Sequence, residues 1–351
     1  MSTPPPLPSY DSPRLIGIEL EFDAGSMPFR LPTLPQGWLS KTDGSLGNGK
    51  EVVLRNPIPV NAVYRYIKAL SNAVTATRTG INRRGGFHVH VGGEGWDVGM
   101  AFRTVKLYSR YQTVINALVG ESRVNNRFAQ PYRDDLTQAG LIQMYCLDRP
   151  AATREVAKST RVYSVVNVAA VRCSDPLLRS VEFRQASPSR NAANIWGWVC
   201  FVTAIVDLSA TANAAYAKAM SGYPVTLEGC VAMLKDFEAT SGVKRLSDWV
   251  LWRYQHMHEL PSPIDDYVDR CVEFCMAKPR GFVAISNKVG LAYPQTRLLL
   301  QHAISHGALA LTDNKYNADY TPKLAAADLS YMLEHAVVHS VADTGALEQP
   351  E

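Results

Sequence analysis

Residues 14–22 read Arg-Leu-Ile-Gly-Ile-Glu-Leu-Glu-Phe, a run in which apolar side chains alternate with Glu19 and Glu21. This alternation predicts a β-strand, in which residues two apart point to the same face. Glu19 and Glu21 therefore share one face, and the intervening apolar residues share the other. The second face is suited to packing against a hydrophobic core.

Two later segments repeat this pattern. One reads Gly86-Phe-His-Val-His-Val-Gly and the other reads Ser180-Val-Glu-Phe-Arg-Gln. Each predicts a strand that presents two functional groups on one face. The four groups are those of His88, His90, Glu182 and Arg184. A face that meets only water usually carries small polar residues or lysines, so three carboxylates, two imidazoles and a guanidinium indicate a site with chemistry.

The rest of the N-terminal part predicts an α+β fold. After a turn at Asp43-Gly44, residues 50–55 predict a returning strand of an antiparallel hairpin, with Glu51 near its mouth. Apolar residues three and four apart then predict helices. We expect one antiparallel sheet with helices on one face and a charged concavity on the other. Helices are predicted at 60–78, 96–119 and 192–220, and a further strand at 161–171.

Three regions are predicted along the chain. Residues 1–13 are rich in proline and predict a disordered tail. Residues 14–220 hold every candidate site residue and form the expected catalytic core. Residues 221–351 predict an almost wholly helical extension, with helices at about 226–240, 245–258, 264–276, 296–310 and 321–341.

Composition narrows the class of protein. The net charge is +4 over 351 residues, too small for a polycation that binds nucleic acid. The six cysteines are scattered and mostly flanked by apolar residues, which favours buried reduced thiols over disulfides. The N-terminus has no signal-peptide pattern, and the longest apolar run is too short to span a bilayer. We expect a cytoplasmic protein with no membrane role.

The candidate residues favour a divalent cation. Clustered glutamates repel one another unless a cation neutralises them. Oxygen-rich sites with an imidazole suit Mg²⁺ or Mn²⁺, which bridge phosphate oxygens. Arg184, two residues from Glu182, is placed to meet the same phosphate. The residues alone thus predict a metal site that handles a phosphorylated ligand, without specifying which one.

The motif order resembles the amidoligase family, part of the carboxylate–amine ligase superfamily that includes glutamine synthetase and glutamate–cysteine ligase. The resemblance covers residues 14–205. Its motifs are Gly17-Ile-Glu-Leu-Glu-Phe, Asp43-Gly-Ser with Glu51-Val-Val, Gly86-Phe-His-Val-His-Val-Gly, Asn167 after Arg161-Val-Tyr, and Val181-Glu-Phe-Arg-Gln-Ala with Trp198 downstream. Where family members often carry Cys-Gly before the two histidines, this chain has Gly85-Gly86.

The resemblance implies a glutamine synthetase-like funnel, with ATP entering one end and a carboxylate substrate the other. It also implies that ATP phosphorylates the carboxylate and that an amine then displaces phosphate to form an amide or isopeptide. The implied metal ligands are Glu19, Glu21, Glu51, His88 and Glu182. The implied nucleotide or phosphate contacts are His90, Arg184, Arg161 and Asn167. The implied catalytic residues are Arg184, Glu51 and Asp43, with Asp43 and Ser45 lining the acyl or amine pocket.

Three alternatives remain open from the sequence. The glutamates can form a solvated strand face, and the histidines can be structural or bind zinc. His88, His90 and Glu94 resemble the first motif of a cupin, a jelly-roll oxygenase, whose next histidine would be His256. A protein of the same fold that binds nucleotide without catalysis is the third alternative.

Overall fold

A seven-stranded antiparallel sheet forms the centre of the N-terminal part of the molecule in the computed structural model. The structure describes residues 6–23, 31–42, 46, 49–77, 85–93, 95–119, 123, 124, 126, 129, 165–172, 179–210, 213–258, 264–276, 278–291, 293–312 and 315–317. The strands are β1 (Leu15–Asp23), β2 (Trp38–Lys41), β3 (Gly49–Leu54), β4 (Ile58–Pro59), β5 (Phe87–Gly92), β6 (Val166–Asn167) and β7 (Ser180–Ala186). Their order is β2-β3-β1-β5-β7-β6, with β4 paired to the start of β1.

The strand order confirms the predicted hairpin and places the three motif strands side by side. β2 and β3 pair antiparallel, with Lys41 opposite Glu51. β1 lies between β3 and β5, and β7 pairs with the other side of β5. The structure therefore confirms an α+β fold with an antiparallel sheet.

One face of the sheet is covered by helices. The ten helices of the described residues are α1 (Val60–Ala76), α2 (Val98–Arg110), α3 (Gln112–Leu118), α4 (Ala192–Leu208), α5 (Ala214–Ser221), α6 (Leu227–Ser241), α7 (Leu246–His258), α8 (Ile264–Met276), α9 (Phe282–Val289) and α10 (Tyr293–Ser305). The apolar residues that alternate with the candidate site residues are at most 1% exposed, among them Ile18, Leu20, Phe87, Val89 and Phe183. α4 is apolar on all sides and almost wholly buried against this layer.

Two predicted helices are each divided in the structure. The helix expected at 96–119 is interrupted at Tyr111, between α2 and α3. The helix expected at 192–220 stops at Leu208, and α5 begins at Ala214 with the Asn213 side chain as its N-cap. Arg103 donates to the carbonyls of Ser209 and Ala210 at 2.8 Å each, so a side chain from α2 satisfies groups that a continuing helix would have bonded.

One predicted strand is shorter in the structure than the sequence indicates. The strand predicted at 161–171 is only β6 within the described residues, followed by a 3₁₀ turn at Ala169–Arg172. The C-terminal part, predicted to be almost wholly helical, also contains a short antiparallel hairpin of β8 (Ala310–Thr312) and β9 (Lys315–Asn317) that the sequence did not indicate. The helix predicted at 321–341 lies outside the described residues.

Residues 8–10 are packed, although the sequence predicts a disordered tail there. The Trp196 indole N–H donates to the carbonyl of Pro8 at 2.8 Å, and Ser9 pairs with Lys244 through two backbone hydrogen bonds. The Tyr10 side chain is buried, and its hydroxyl donates to Asp207. A composition rich in proline does not exclude such anchoring, because the buried aromatic ring and these hydrogen bonds together offset ordering entropy.

The described residues form two compact units. The first extends to Arg253 and contains the sheet, and the second begins at Tyr254. The second unit has its own core, in which Cys271, Cys275 and Leu299 are fully buried. Cys200 and Cys230 are also free and buried, as expected for reduced thiols. Among the described residues no helix has the length and apolarity to cross a membrane.

Candidate active site

The face of the sheet opposite the helices gathers the candidate residues from four neighbouring strands. Glu19 on β1 lies opposite His88 on β5, and His90 lies opposite Glu182 on β7. Directly paired residues of an antiparallel sheet project to the same face, so their side chains meet. We call this surface the acidic face and define it by Glu19, Glu21, Glu51, His88, His90, Glu182 and Arg184.

His88 lies at the centre of the acidic face and contacts three carboxylates. Its Nδ1 is 3.2 Å from Oε2 of Glu19 and 3.3 Å from Oε1 of Glu182. Its Nε2 is 3.5 Å from Oε1 of Glu21. The His88 ring is 3% exposed, which leaves it no alternative partner in bulk water. The structure therefore brings all three motif strands into contact through one imidazole.

Glu182 is held from two sides. Its Oε1 accepts from Nη1 of Arg184 at 2.5 Å, and its Oε2 accepts from the amide nitrogen of Asn167 at 2.9 Å. Asn167 on β6 lies directly opposite Glu182 in the ladder, which explains this contact. Charge-assisted bonds of this kind restrict the carboxylate to one orientation.

A β-bulge in β7 separates the roles of two successive residues. Phe87 pairs with Ala186 whereas Val89 pairs with Phe183, so two residues of β7, Arg184 and Gln185, stand opposite the single residue His88 in the ladder. Their side chains nevertheless point to different faces. Arg184 contacts Glu182 on the acidic face. Gln185 is fully buried on the helix side, where it accepts from the Tyr108 hydroxyl at 2.9 Å and from Gln112 at 2.8 Å.

Glu19 and His90 form the more exposed part of the acidic face. His90 Nε2 lies 3.2 Å from Oε1 of Glu19, an ion-pair contact whose angles fall outside a regular hydrogen bond. Burial raises the pKa of Glu19, but contacts with His88 and His90 outweigh burial and lower the pKa below 4.5. Burial lowers the pKa of His90, but the contact with Glu19 and the charges of Glu182 and Glu19 raise it above 6.5.

The donor set fits a hard divalent cation. Ligand atoms of Glu19, Glu51 and His88 lie within 4.8 Å of one another, and so do those of Glu19, His90 and Glu182. Glu51 reaches this set because it pairs with Glu21 on β1. Carboxylate oxygens with a few imidazoles are donors that Mg²⁺ and Mn²⁺ accept. Thiolates, which would favour zinc, are not part of either group.

Glycines before β5 allow a backbone contact that the sequence did not reveal. The Gly86 N–H donates to Oε2 of Glu21 at 2.5 Å. A Cβ on Gly86 would lie 2.7 Å from Nε2 of His88 and 3.0 Å from Oε2 of Glu21. A Cβ on Gly85 would lie 2.5 Å from the Glu21 carbonyl oxygen. Because these two residues have no side chains, the backbone can approach the carboxylate of a site residue.

Arg123 is the second residue that the sequence did not single out. It lies in a polar stretch without a motif, yet its side chain is 1% exposed. Its guanidinium donates to the carbonyl of Arg184 at 2.5 Å and to the carbonyl of Gly85 at 3.4 Å. No periodicity marks such a residue, because its partners lie far away in sequence.

Several predicted residues lie outside the described residues. They are Asp43, Ser45 and Arg161, together with Glu94 of the cupin alternative. That alternative also requires an all-β jelly roll and a further metal-binding histidine. His256 lies instead on helix α7, and helices pack against the sheet that carries His88 and His90. The described architecture therefore does not favour a cupin.

Comparison with known protein families identifies a related family. Residues 53–206 match the model of the family described as "putative amidoligase enzyme". A comparison with curated proteins finds no match. The matched range contains His88, His90, Glu182 and Arg184 but begins after β1, whereas the sequence resemblance was drawn from residue 14. Glu19 and Glu21 lie outside the matched range, but the pairing of β1 with β5 places them next to the histidines within it.

Proposed function

We propose that this chain, whose residues 53–206 match the amidoligase family, is an ATP-dependent carboxylate–amine ligase. The substrates are a carboxylate, from a small molecule, peptide or protein, and an amine donor. The product is an amide or isopeptide, formed through an acyl phosphate. Nucleic acid is not a proposed partner, since the net charge is only +4.

One observation carries the proposal: carboxylates, imidazoles and a guanidinium are packed on the same sheet face. His88 alone contacts Glu19, Glu21 and Glu182 within 3.5 Å. On a strand face that only meets water, these charged side chains would extend apart into solvent, because burying glutamates without compensating partners is unfavourable. A cluster of this composition is instead suited to hold cations and phosphate oxygens.

In this proposal Glu19, Glu21, Glu51, His88 and Glu182 hold Mg²⁺ or Mn²⁺. Two overlapping donor groups, both including Glu19, support the assignment of Glu19, Glu51, His88 and Glu182. Glu21 belongs to neither group, and its assignment follows from its 3.5 Å contact with His88. When bound, the cation neutralises phosphate charge, which is a large part of catalysis in phosphoryl transfer. His90 and Asn167 are assigned to the nucleotide side, as is Arg161, which lies outside the described residues.

Arg184 is assigned to the transferring phosphate. Its guanidinium is held against Glu182, so it is oriented before a phosphate binds. A substrate carboxylate oxygen attacks the γ-phosphorus of ATP, ADP leaves, and an acyl phosphate forms. The amine nitrogen then attacks the acyl carbon, phosphate leaves, and the nitrogen loses a proton. We assign Glu51 and Asp43 to this second step, where a carboxylate can accept the proton.

The finer fold proposal is a glutamine synthetase-like funnel with the acidic face as its inner wall. ATP would enter one end and the carboxylate the other. The helix layer supports this orientation, since the helices of the described residues pack on the side of the strands away from the acidic face.

The test uses a readout specific to the acyl phosphate. The protein is incubated with ATP, Mg²⁺ and panels of amino acids, peptides and polyamines, and ADP release is measured. Hydroxylamine then replaces the amine, because it traps an acyl phosphate as a hydroxamate. We expect ADP and hydroxamate to appear together and to require Mg²⁺ and a carboxylate.

Variants connect this activity with the acidic face. Glu21→Ala and Arg184→Ala should each lower turnover by about 100-fold or more, since each removes a group of the charge-stabilising site. Glu228→Ala and Arg65→Ala are matched controls, because both side chains are exposed and lie on helices. Full turnover in both site variants would refute the site assignment. ADP release without hydroxamate would refute the acyl phosphate.

A further inference from the structure

A buried cation lies beside the acidic face. Arg123 is among the largest side chains that are fully buried. Nη2 donates to the carbonyl of Arg184 and Nη1 to the carbonyl of Gly85, while Nε has no hydrogen-bond partner among the described residues. The guanidinium therefore joins the β7 bulge to the segment that enters β5.

Gly86 shows what surrounds this cation. A Cβ built on Gly86 would lie 2.7 Å from Nε2 of His88, 3.0 Å from Oε2 of Glu21 and 3.1 Å from Nη2 of Arg123. The imidazole, the carboxylate and the guanidinium thus converge around one backbone position. Only a residue without a side chain leaves room for all three.

The charge of Arg123 is retained in spite of burial. Burial lowers the pKa of Arg123 to about 10, against the opposing effect of the Glu21 charge. The side chain therefore stays cationic at neutral pH. Burying a charge costs several kcal/mol unless partners compensate, and an apolar residue of similar volume is often no less stable. A buried arginine beside a carboxylate cluster consequently suggests a use for its charge.

We propose that Arg123 is a positioning residue of the acidic face, whose cation balances the Glu21 carboxylate while its hydrogen bonds fix the Gly85 and Arg184 backbone. This inference rests on the proposed function only in taking Glu21 as a site residue. It assigns Arg123 no contact with substrate. Its effect on catalysis passes through Glu21 and Arg184.

The test is a double-mutant cycle on the full chain in a chelator, so that neither metal nor turnover enters the measurement. Thermal midpoints are compared for wild type, Arg123→Met, Glu21→Gln and the double variant. If the cation balances Glu21, Arg123→Met should lower the midpoint at least twice as much in the wild type as in the Glu21→Gln background. Arg123→Lys, which keeps the charge, should recover more than half of the loss.

Arg253 provides the matched control. It too is a buried arginine, with a pKa lowered to about 10 by burial, and its Nε donates to the carbonyl of Leu118 at 3.0 Å. No carboxylate among the described residues affects its pKa. Arg253→Met should therefore lower the midpoint equally in the wild type and in the Glu21→Gln background.

Each outcome decides the inference. An equal loss from Arg123→Met in both backgrounds would overturn it, and so would failure of Arg123→Met to fold in both. Folding only in the Glu21→Gln background would support it. The proposed function is tested separately: hydroxamate formation by the wild type, together with an absence of coupling in the cycle, would reject Arg123 as a positioning residue and leave the ligase intact.

Discussion

The backbone N–H of Gly86 donates to Oε2 of Glu21 over 2.5 Å, although 65 residues separate the two in sequence. The bond is possible because β1 and β5 are neighbours and because Gly86 has no side chain. It aims the Glu21 carboxylate toward His88, whose Nε2 lies 3.5 Å from the other oxygen. The orientation of one site carboxylate is thus set by a residue with no functional group.

Gly86→Ala should disrupt the site with little change elsewhere. The added Cβ would fall 2.7 Å from His88 Nε2 and 3.0 Å from Glu21 Oε2, so one or both side chains must move. We expect Mn²⁺ affinity, measured by isothermal titration calorimetry, to fall by about 10- to 100-fold, as for other groups that orient metal ligands.

The control for this variant is Gly281→Ala. A Cβ at Gly281 would meet nothing within 4 Å, and the residue lies at the start of α9 in the second unit. Its Mn²⁺ affinity should equal that of the wild type. Unchanged affinity in Gly86→Ala would show that the contact with Glu21 does not orient a metal ligand.

Asn167→Leu should weaken the same site from the other side. The substitution keeps a similar volume but removes the hydrogen bond that Asn167 donates to Oε2 of Glu182 at 2.9 Å. The variant leaves the Glu182 carboxylate without one of its hydrogen-bond donors, and because Glu182 is almost fully buried, bulk water cannot readily replace that donor. Mn²⁺ affinity should fall by about 10-fold or more. Equal affinity in the variant and the wild type would contradict this role.

The six motif residues could be predicted because strand periodicity fixes which side chains share a face. Glu19 and Glu21 needed only the alternation of residues 14–22, as did the later pairs. Periodicity does not say whether the three strands are neighbours. The structure shows that they are, through the pairing of β5 with both β1 and β7.

Residues that act through distant partners could not be predicted. Arg123 and the Gly86 N–H gain their importance from groups on other elements, and no local pattern encodes those contacts. The stop of α4 at Leu208 has a similar origin, since Arg103 of α2 satisfies the carbonyls beyond it. Short elements such as β8 and α9 give too few periods for a pattern to be recognised.

Gly197→Ala should destabilise the first unit, although the same change stabilises an ordinary helix by about 1 kcal/mol. A Cβ on Gly197 would lie 2.0 Å from the ring of Trp249, which is buried. Overpacking of this kind costs about 1–3 kcal/mol in free energy of unfolding, measured by urea denaturation. The opposite sign would show that α4 and α7 can separate without cost.

A second substitution checks the cause of this loss. Trp249→Leu removes the ring that the new methyl group would strike, so its own cost should be smaller in the Gly197→Ala background than in the wild type. Additive losses would indicate that the two residues do not interact.

The stability of the metal-free protein should pass through a maximum as pH is varied, and Glu19 and His90 should contribute to that maximum. The folded pKa of Glu19 lies below 4.5, so its contribution is present above pH 4.5 and is lost as pH falls below that value. The folded pKa of His90 lies above 6.5, so its contribution is present below pH 6.5 and is lost as pH rises. Both contributions are therefore complete only between about pH 4.5 and 6.5.

Glu19→Gln isolates this effect. In a chelator, the difference in thermal midpoint between wild type and Glu19→Gln should be largest within that pH window and should shrink on either side. Below the window the difference in thermal midpoint shrinks because Glu19 becomes protonated. Above the window it shrinks because His90 loses the positive charge that faces Glu19. Glu273→Gln, at an exposed carboxylate on α8, controls for the loss of a negative charge. A difference that stays constant from pH 4 to 8 would show that the Glu19–His90 contact does not contribute to the stability of the metal-free protein. Any contribution of this ion pair to stability would then require a bound cation.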